Sequence, residues 1–98
     1  MHSAQILARL REHESALRAR GVKHVALFGS CARGDNRPDS DIDIMVEFDS
    51  AAHVTVFNYA GLKEYIASLF DRPVDVVNRD GLKPYVRPAA TADAIYAF

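Results

Sequence analysis

The sequence predicts an α/β fold, a small sheet with helices packed on it. Three observations carry this. Apolar residues recur at helical spacing in residues 3–20 and again in residues 55–70. Residues 41–48 instead alternate with period two, Ile42, Ile44, Val46 and Phe48 against Asp41, Asp43, Met45 and Glu47. Two short apolar runs, KHVALF and VDVV, each stop at turn-forming residues.

Taken in order, the elements follow from local rules. Ile6, Leu7, Leu10 and Leu17 place a stripe on one face of a helix over residues 3–20, and Gly21 stands where a helix C-cap belongs. Residues 23–28 make a first strand, ended by Gly29-Ser30. Residues 31–40 are rich in Gly, Pro, Asn, Asp and Arg and read as a loop with at most one helical turn. Residues 41–48 make the second strand. Tyr59, Leu62, Ile66 and Leu69 mark a helix over residues 55–70, which Arg72-Pro73 breaks. Residues 74–77 form a third strand and Asp80-Gly81 turns the chain. Pro88 suits the first turn of a last helix running to about Tyr96.

Ninety-eight residues suffice for one domain, spanning 1–98, and leave no room for a second. With 12 Lys and Arg against 13 Asp and Glu, the net charge of −1 excludes a protein that grips nucleic acid by bulk electrostatics. It leaves local nucleotide binding open. One cysteine, Cys31, excludes an intrachain disulfide, and no apolar run approaches a membrane span. The expected location is the cytoplasm.

The chemistry is concentrated in LFGSCARGDNRPDSDIDIMVEF, residues 27–48. Asp41 and Asp43 are two apart on a strand, so their carboxylates share a face while Ile42 and Ile44 turn into the core. Two adjacent carboxylates repel, and a divalent cation removes that penalty. Mg²⁺ accepts a site of few carboxylates completed by phosphate oxygens. Asp75, between Val74 and Val76, is a third acid that reaches the same pocket if its strand is a neighbour. Three converging acids meet the minimum for two metals and in-line attack on phosphorus. Gly29 and Ser30 supply the other half. A Gly-led turn directly after a strand brings backbone N–H groups close to an anion, the Ser30 hydroxyl adds a donor, and Arg33 offers a cation.

On these residues the chain resembles a known family. GSCARGDNRPDSDID is similar to the signature of the DNA-polymerase-β-type nucleotidyltransferase superfamily, and specifically of its minimal nucleotidyltransferases. RPVDVV and GLKPYVRP with DAIYAF extend the resemblance over most of the chain. The resemblance implies a mixed sheet of the polymerase-β-like nucleotidyltransferase fold. It implies that Gly29 and Ser30 hold the triphosphate of ATP, that Asp41 and Asp43 ligate two Mg²⁺, and that Asp75 completes one metal site and helps deprotonate the attacking hydroxyl. Arg33 is then a phosphate contact. Asp39 and Ser40 shape the turn before the acids, with Ser40 counted among the nucleotide-binding residues. The smallest members typically pair with a HEPN-domain toxin as its antitoxin, some by transferring AMP to a toxin tyrosine. The expected function is therefore Mg²⁺-dependent AMP transfer from ATP to a hydroxyl of a HEPN toxin partner. The alternative is an antitoxin that neutralises such a toxin by binding alone. A small-molecule, antibiotic-modifying transferase is the least favoured, because no second domain closes over such a substrate.

Overall fold

The computed structural model describes residues 3–29, 41–81 and 94–98, together with Ala32 and Ala92. Its elements are α1 (Ser3–Glu12), α2 (Glu14–Ala19), β1 (Val22–Phe28), β2 (Ile42–Phe48), α3 (Val56–Ser68), β3 (Val74–Asn78) and β4 (Ile95–Tyr96), with a 3₁₀ turn at Arg79–Gly81. The strands form one sheet in the order β3-β2-β1-β4. β2 runs antiparallel to β1 and parallel to β3, and β4 is antiparallel to β1. The sheet is thus mixed, and the α/β expectation holds.

Register assigns each strand two faces. Leu27, Ile44 and Val76 lie side by side across β1, β2 and β3, and Val25 pairs with Val46. All five are buried in one apolar cluster with Ile6, Leu7 and Leu10 of α1, Leu17 of α2, and Leu62 and Ile66 of α3. The helices therefore cover this face, and apolar burial on it is the main favourable term of the fold. The opposite face carries Phe28, Asp43 and Asp75 in a row, then Ala26, Met45 and Val77.

Three expectations change. The single helix over residues 3–20 is interrupted at His13. There the backbone tightens, the His13 N–H donating to Leu10 O at 3.1 Å, which is a 3₁₀-type bond. The break lets His13 Nδ1 meet the Tyr65 hydroxyl of α3 at 2.8 Å, while Leu17 keeps its place in the core. Gly21 ends α2 as expected: its φ of +93° and its N–H bond to Arg18 O fit a helix stop.

The end of the last helix is corrected. Ile95–Tyr96 is a strand paired with Ala26 and Leu27 of β1, and the Ala97 N–H donates to Val25 O at 2.8 Å. The open edge of β1 offers this segment a backbone partner, which outweighs the helical tendency of its alanines. Residues 82–91, with Tyr85 and Pro88, lie outside the described residues. Finally, Met45 and Ala26 are buried although they share the face of the acids, so that face is not an open surface along its whole length.

β4 is short and is held by side chains. Arg11 Nε donates to Ala97 O at 2.8 Å, and its Nη2 lies 3.5 Å from Tyr96 O. The Arg18 guanidinium stacks 4.7 Å from the Phe98 ring centre, and His24 Nδ1 is 3.3 Å from Phe98 O. Arg11→Ala is expected to cost about 1 kcal/mol in chemical denaturation, the net worth of one such bond. It should also speed hydrogen exchange at the Ala97 amide more than at the centre of β2. Equal protection of Ala97 in both chains would show that Arg11 does not pin the strand.

Candidate active site

Asp43 lies on β2, an inner strand of the sheet, so its neighbours are set by pairing on both sides. Phe28 is its partner on β1 and Asp75 its partner on β3. Parallel neighbours in register point to the same side, and strands lie roughly 4.8 Å apart. The Asp43 and Asp75 carboxylates therefore project from one face, one strand apart. Asp43 is half-buried, and Asp75 is exposed on the outer strand. Asp41 is exposed and lies one residue before β2. The next residue begins the pairing, its N–H donating to Pro73 O at 2.9 Å.

Gly29 follows β1 directly, with φ of +71°. A Cβ added there would sit 2.5 Å from Asp43 Oδ2 and 3.3 Å from its Cγ. The bare glycine backbone is thus what admits the Asp43 carboxylate to its position, and the turn and the acid form one unit. Sequence reasoning gave Gly29 a role toward phosphate only; its close approach to Asp43 depends on the β1–β2 register, which the sequence did not reveal. Ser30, Arg33, Asp39 and Ser40 lie outside the described residues.

Like charges on adjacent strands repel. Two carboxylates about 5 Å apart repel by about 1 kcal/mol in bulk water and about 3 kcal/mol at an effective dielectric of about 20. The donor set is hard oxygen. Among the described residues, no three His, Cys, Asp or Glu side chains gather into a ready-made metal cage. Mg²⁺ needs none, since it binds through one or two carboxylates, water and substrate phosphates. Asp43 with Asp41 or Asp75 suits that mode of binding.

Tyr59 of α3 packs against the core, as its helical spacing predicts, and its hydroxyl does something more. Helical spacing reads it as core or as a wall under a nucleotide base. In the structure its hydroxyl donates to Val76 O at 3.3 Å, at the outer edge of β3, and its ring packs on Phe48. A cleft of about 390 Å³ opens elsewhere, beside Arg20, Gly21, His53 and Asn58. It adjoins the Val22–Phe48 end of the sheet, remote from Asp43, and carries no carboxylate. Geometry favours the acidic row over this hollow as the reactive site.

Comparison with known proteins places the chain in a family. The nucleotidyltransferase domain family matches residues 10–97. A Methanocaldococcus jannaschii chain named as a candidate protein adenylyltransferase is 40% identical over 89 residues, covering 89% of each chain. The protein adenylyltransferase MntA of Thermococcus cleftensis is 33% identical over 88 residues, covering 89% of this chain and 87% of the other. A solved structure described as a candidate minimal nucleotidyltransferase superposes with a TM-score of 0.80 at 35% identity, covering 97% of this chain and 95% of that one. A structure of tri-AMPylated Shewanella oneidensis HEPN toxin in complex with MNT antitoxin shares the fold, with a TM-score of 0.62 at 22% identity, over 91% of this chain and 70% of that one. With the family's span covering both Gly29 and the three acids, the chain belongs to the nucleotidyltransferase domain family.

Proposed function

We propose that this nucleotidyltransferase moves AMP from ATP to a hydroxyl of a partner protein. The observation that carries the reading is the row of Asp43 and Asp75 on adjacent parallel strands, with the Gly29 turn closed against Asp43. Family membership and the protein-adenylyltransferase names of relatives above 30% identity support it.

Each residue then has a task. The Gly29 turn offers backbone N–H groups to the phosphates of ATP. Asp43, with Asp41 or Asp75, would hold Mg²⁺. When bound, Mg²⁺ supplies positive charge at the α-phosphate and at the departing oxygen. Asp75, on the open edge of the row, accepts the proton of the attacking hydroxyl. The hydroxyl oxygen forms a bond to the α-phosphorus, the bond from that phosphorus to the bridging oxygen breaks, and pyrophosphate leaves. Ser30, Arg33 and Ser40 complete the nucleotide site in this reading.

The acceptor we infer is a tyrosine of a HEPN-domain toxin, which makes the chain an antitoxin. This part rests on the sequence resemblance. The toxin–antitoxin complex above shares the fold and carries no further weight at its identity.

Intact-mass spectrometry tests the reading. The protein encoded by the adjacent reading frame is to be incubated with this chain, ATP and Mg²⁺. A mass gain of one or more AMP units is expected, absent without ATP and absent when EDTA is added. An unmodified acceptor under all conditions, with its ribonuclease activity still inhibited, would replace transfer by neutralisation through binding.

A further inference from the structure

The strand that carries Asp75 is the outermost of the sheet. An edge strand turns alternate N–H and C=O groups away from its neighbour, and these must be satisfied or the strand frays. The pairing tells which they are. Ile42 lies opposite Val74 and its N–H donates to Pro73 O, so Asp75 and Val77 bond toward β2. Val74, Val76 and Asn78 face outward.

One side chain from α3 meets these outward groups. The Tyr59 hydroxyl donates to Val76 O at 3.3 Å, which is long for such a bond. The hydroxyl thus stands where the next strand would be. Its ring is fixed from two sides, 5.8 Å from the Phe48 ring and 5.4 Å from Lys63 Nζ. Burial first, and the charge of Asp75 second, raise the phenol above its ordinary pKa of 10.0. The group stays protonated at neutral pH and remains a donor.

We propose that Tyr59 is a positioning residue for Asp75: by tying Val76 to α3, it holds the edge strand so that Asp75 stays level with Asp43. This rests on the AMP-transfer reading, in which Asp75 takes the acceptor's proton. A displacement of about 1 Å of such a group lowers turnover sharply, whereas the contacts of ATP at Gly29 and Asp43 stay as they are.

Tyr59→Phe keeps the ring and removes one oxygen. AMP transfer to the HEPN-domain acceptor is to be measured in four chains: wild type, Tyr59→Phe, Asp75→Asn and the double variant. Tyr59→Phe is expected to lower kcat about fivefold, the worth of one modest hydrogen bond, with KM for ATP unchanged. In the Asp75→Asn background it should cost nothing more. The same loss with and without the Asp75 carboxylate, or a rise in KM for ATP that accounts for it, would overturn the proposal. Hydrogen exchange gives a readout apart from catalysis. Tyr59→Phe should speed exchange at the Val77 amide, which bonds toward β2, with β1 unchanged, and unaltered exchange there would overturn the proposal even if the wild type transfers no AMP. That last result would by itself sink only the transfer reading.

Discussion

The Asp41→Asn/Asp43→Asn chain is expected to transfer AMP more than about a thousandfold more slowly than the wild type while keeping its fold. Asparagine has the shape of aspartate but no charge. Neither residue lies in the helix-side core, since Asp41 is exposed and Asp43 is half-buried on the opposite face. Relief of repulsion against Asp75 offsets part of any loss in packing, so the denaturation midpoint should move little. Catalysis is another matter. Loss of a single preorganised electrostatic partner of a reacting group costs about a hundredfold to a thousandfold, and this variant removes two carboxylates that would hold the cation. The result also separates two readings. A variant that neither transfers AMP nor protects against the toxin makes transfer the means of neutralisation. A variant that fails to transfer and still protects makes binding the means, with the acids unnecessary to it. Wild-type transfer by the double variant would remove the row from the active site altogether.

What local pattern dictates was legible beforehand. The alternation of residues 41–48 put Ile42, Ile44 and Val46 in the core and the acids on the other side, because the side-chain period of a strand is two wherever it pairs. Thr55 caps α3 as short-range rules require, accepting from the Asn58 N–H at 3.0 Å while Asn58 Oδ1 accepts from the Thr55 N–H. What was illegible depends on partners distant in sequence. Ile95–Tyr96 is too short to have a period, and only the open edge of β1 makes it a strand. The break at His13 leaves the apolar stripe intact, so periodicity passes over it. Asp75 was a conditional member of the site, and the condition was the parallel register of β3 with β2. Tyr59 follows the same logic from the other direction. Its helical spacing marks it as apolar, whereas its hydroxyl serves an edge that exists only after the sheet forms. The sheet is in fact closed at both described edges by a helix side chain, Tyr59 on β3 and Arg11 beside β4. Such capping blunts strand edges that would otherwise pair with other chains.

Gly29→Ala is expected to lower AMP transfer about a hundredfold and stability by only about 1–2 kcal/mol. Two effects act at once. At φ of +71° an alanine takes on left-handed strain of about 1 kcal/mol. Its Cβ would also stand 2.5 Å from Asp43 Oδ2, a distance no relaxed pair of atoms keeps. The strand backbone on either side is bound into the sheet, so the side chain is what gives way: the Asp43 carboxylate rotates off its position beside Asp75. Rotation of one carboxylate costs little in folding and much in a reaction that depends on its placement. Gly61 supplies the control. It lies within α3 without a positive φ, and an added Cβ meets nothing nearer than Arg20 Nη1 at 3.7 Å. Gly61→Ala should therefore raise stability by about 0.5–1 kcal/mol and leave transfer unchanged. Denaturation and AMP-transfer rates measured on both variants decide the matter. If Gly29→Ala lost activity only in proportion to its folded fraction, the turn would be a structural joint and the closeness of Gly29 to Asp43 would have no part in catalysis. If it lost activity while well folded, and lost none further in an Asp43→Asn background, the turn and the acid would act as the single unit that their distance describes.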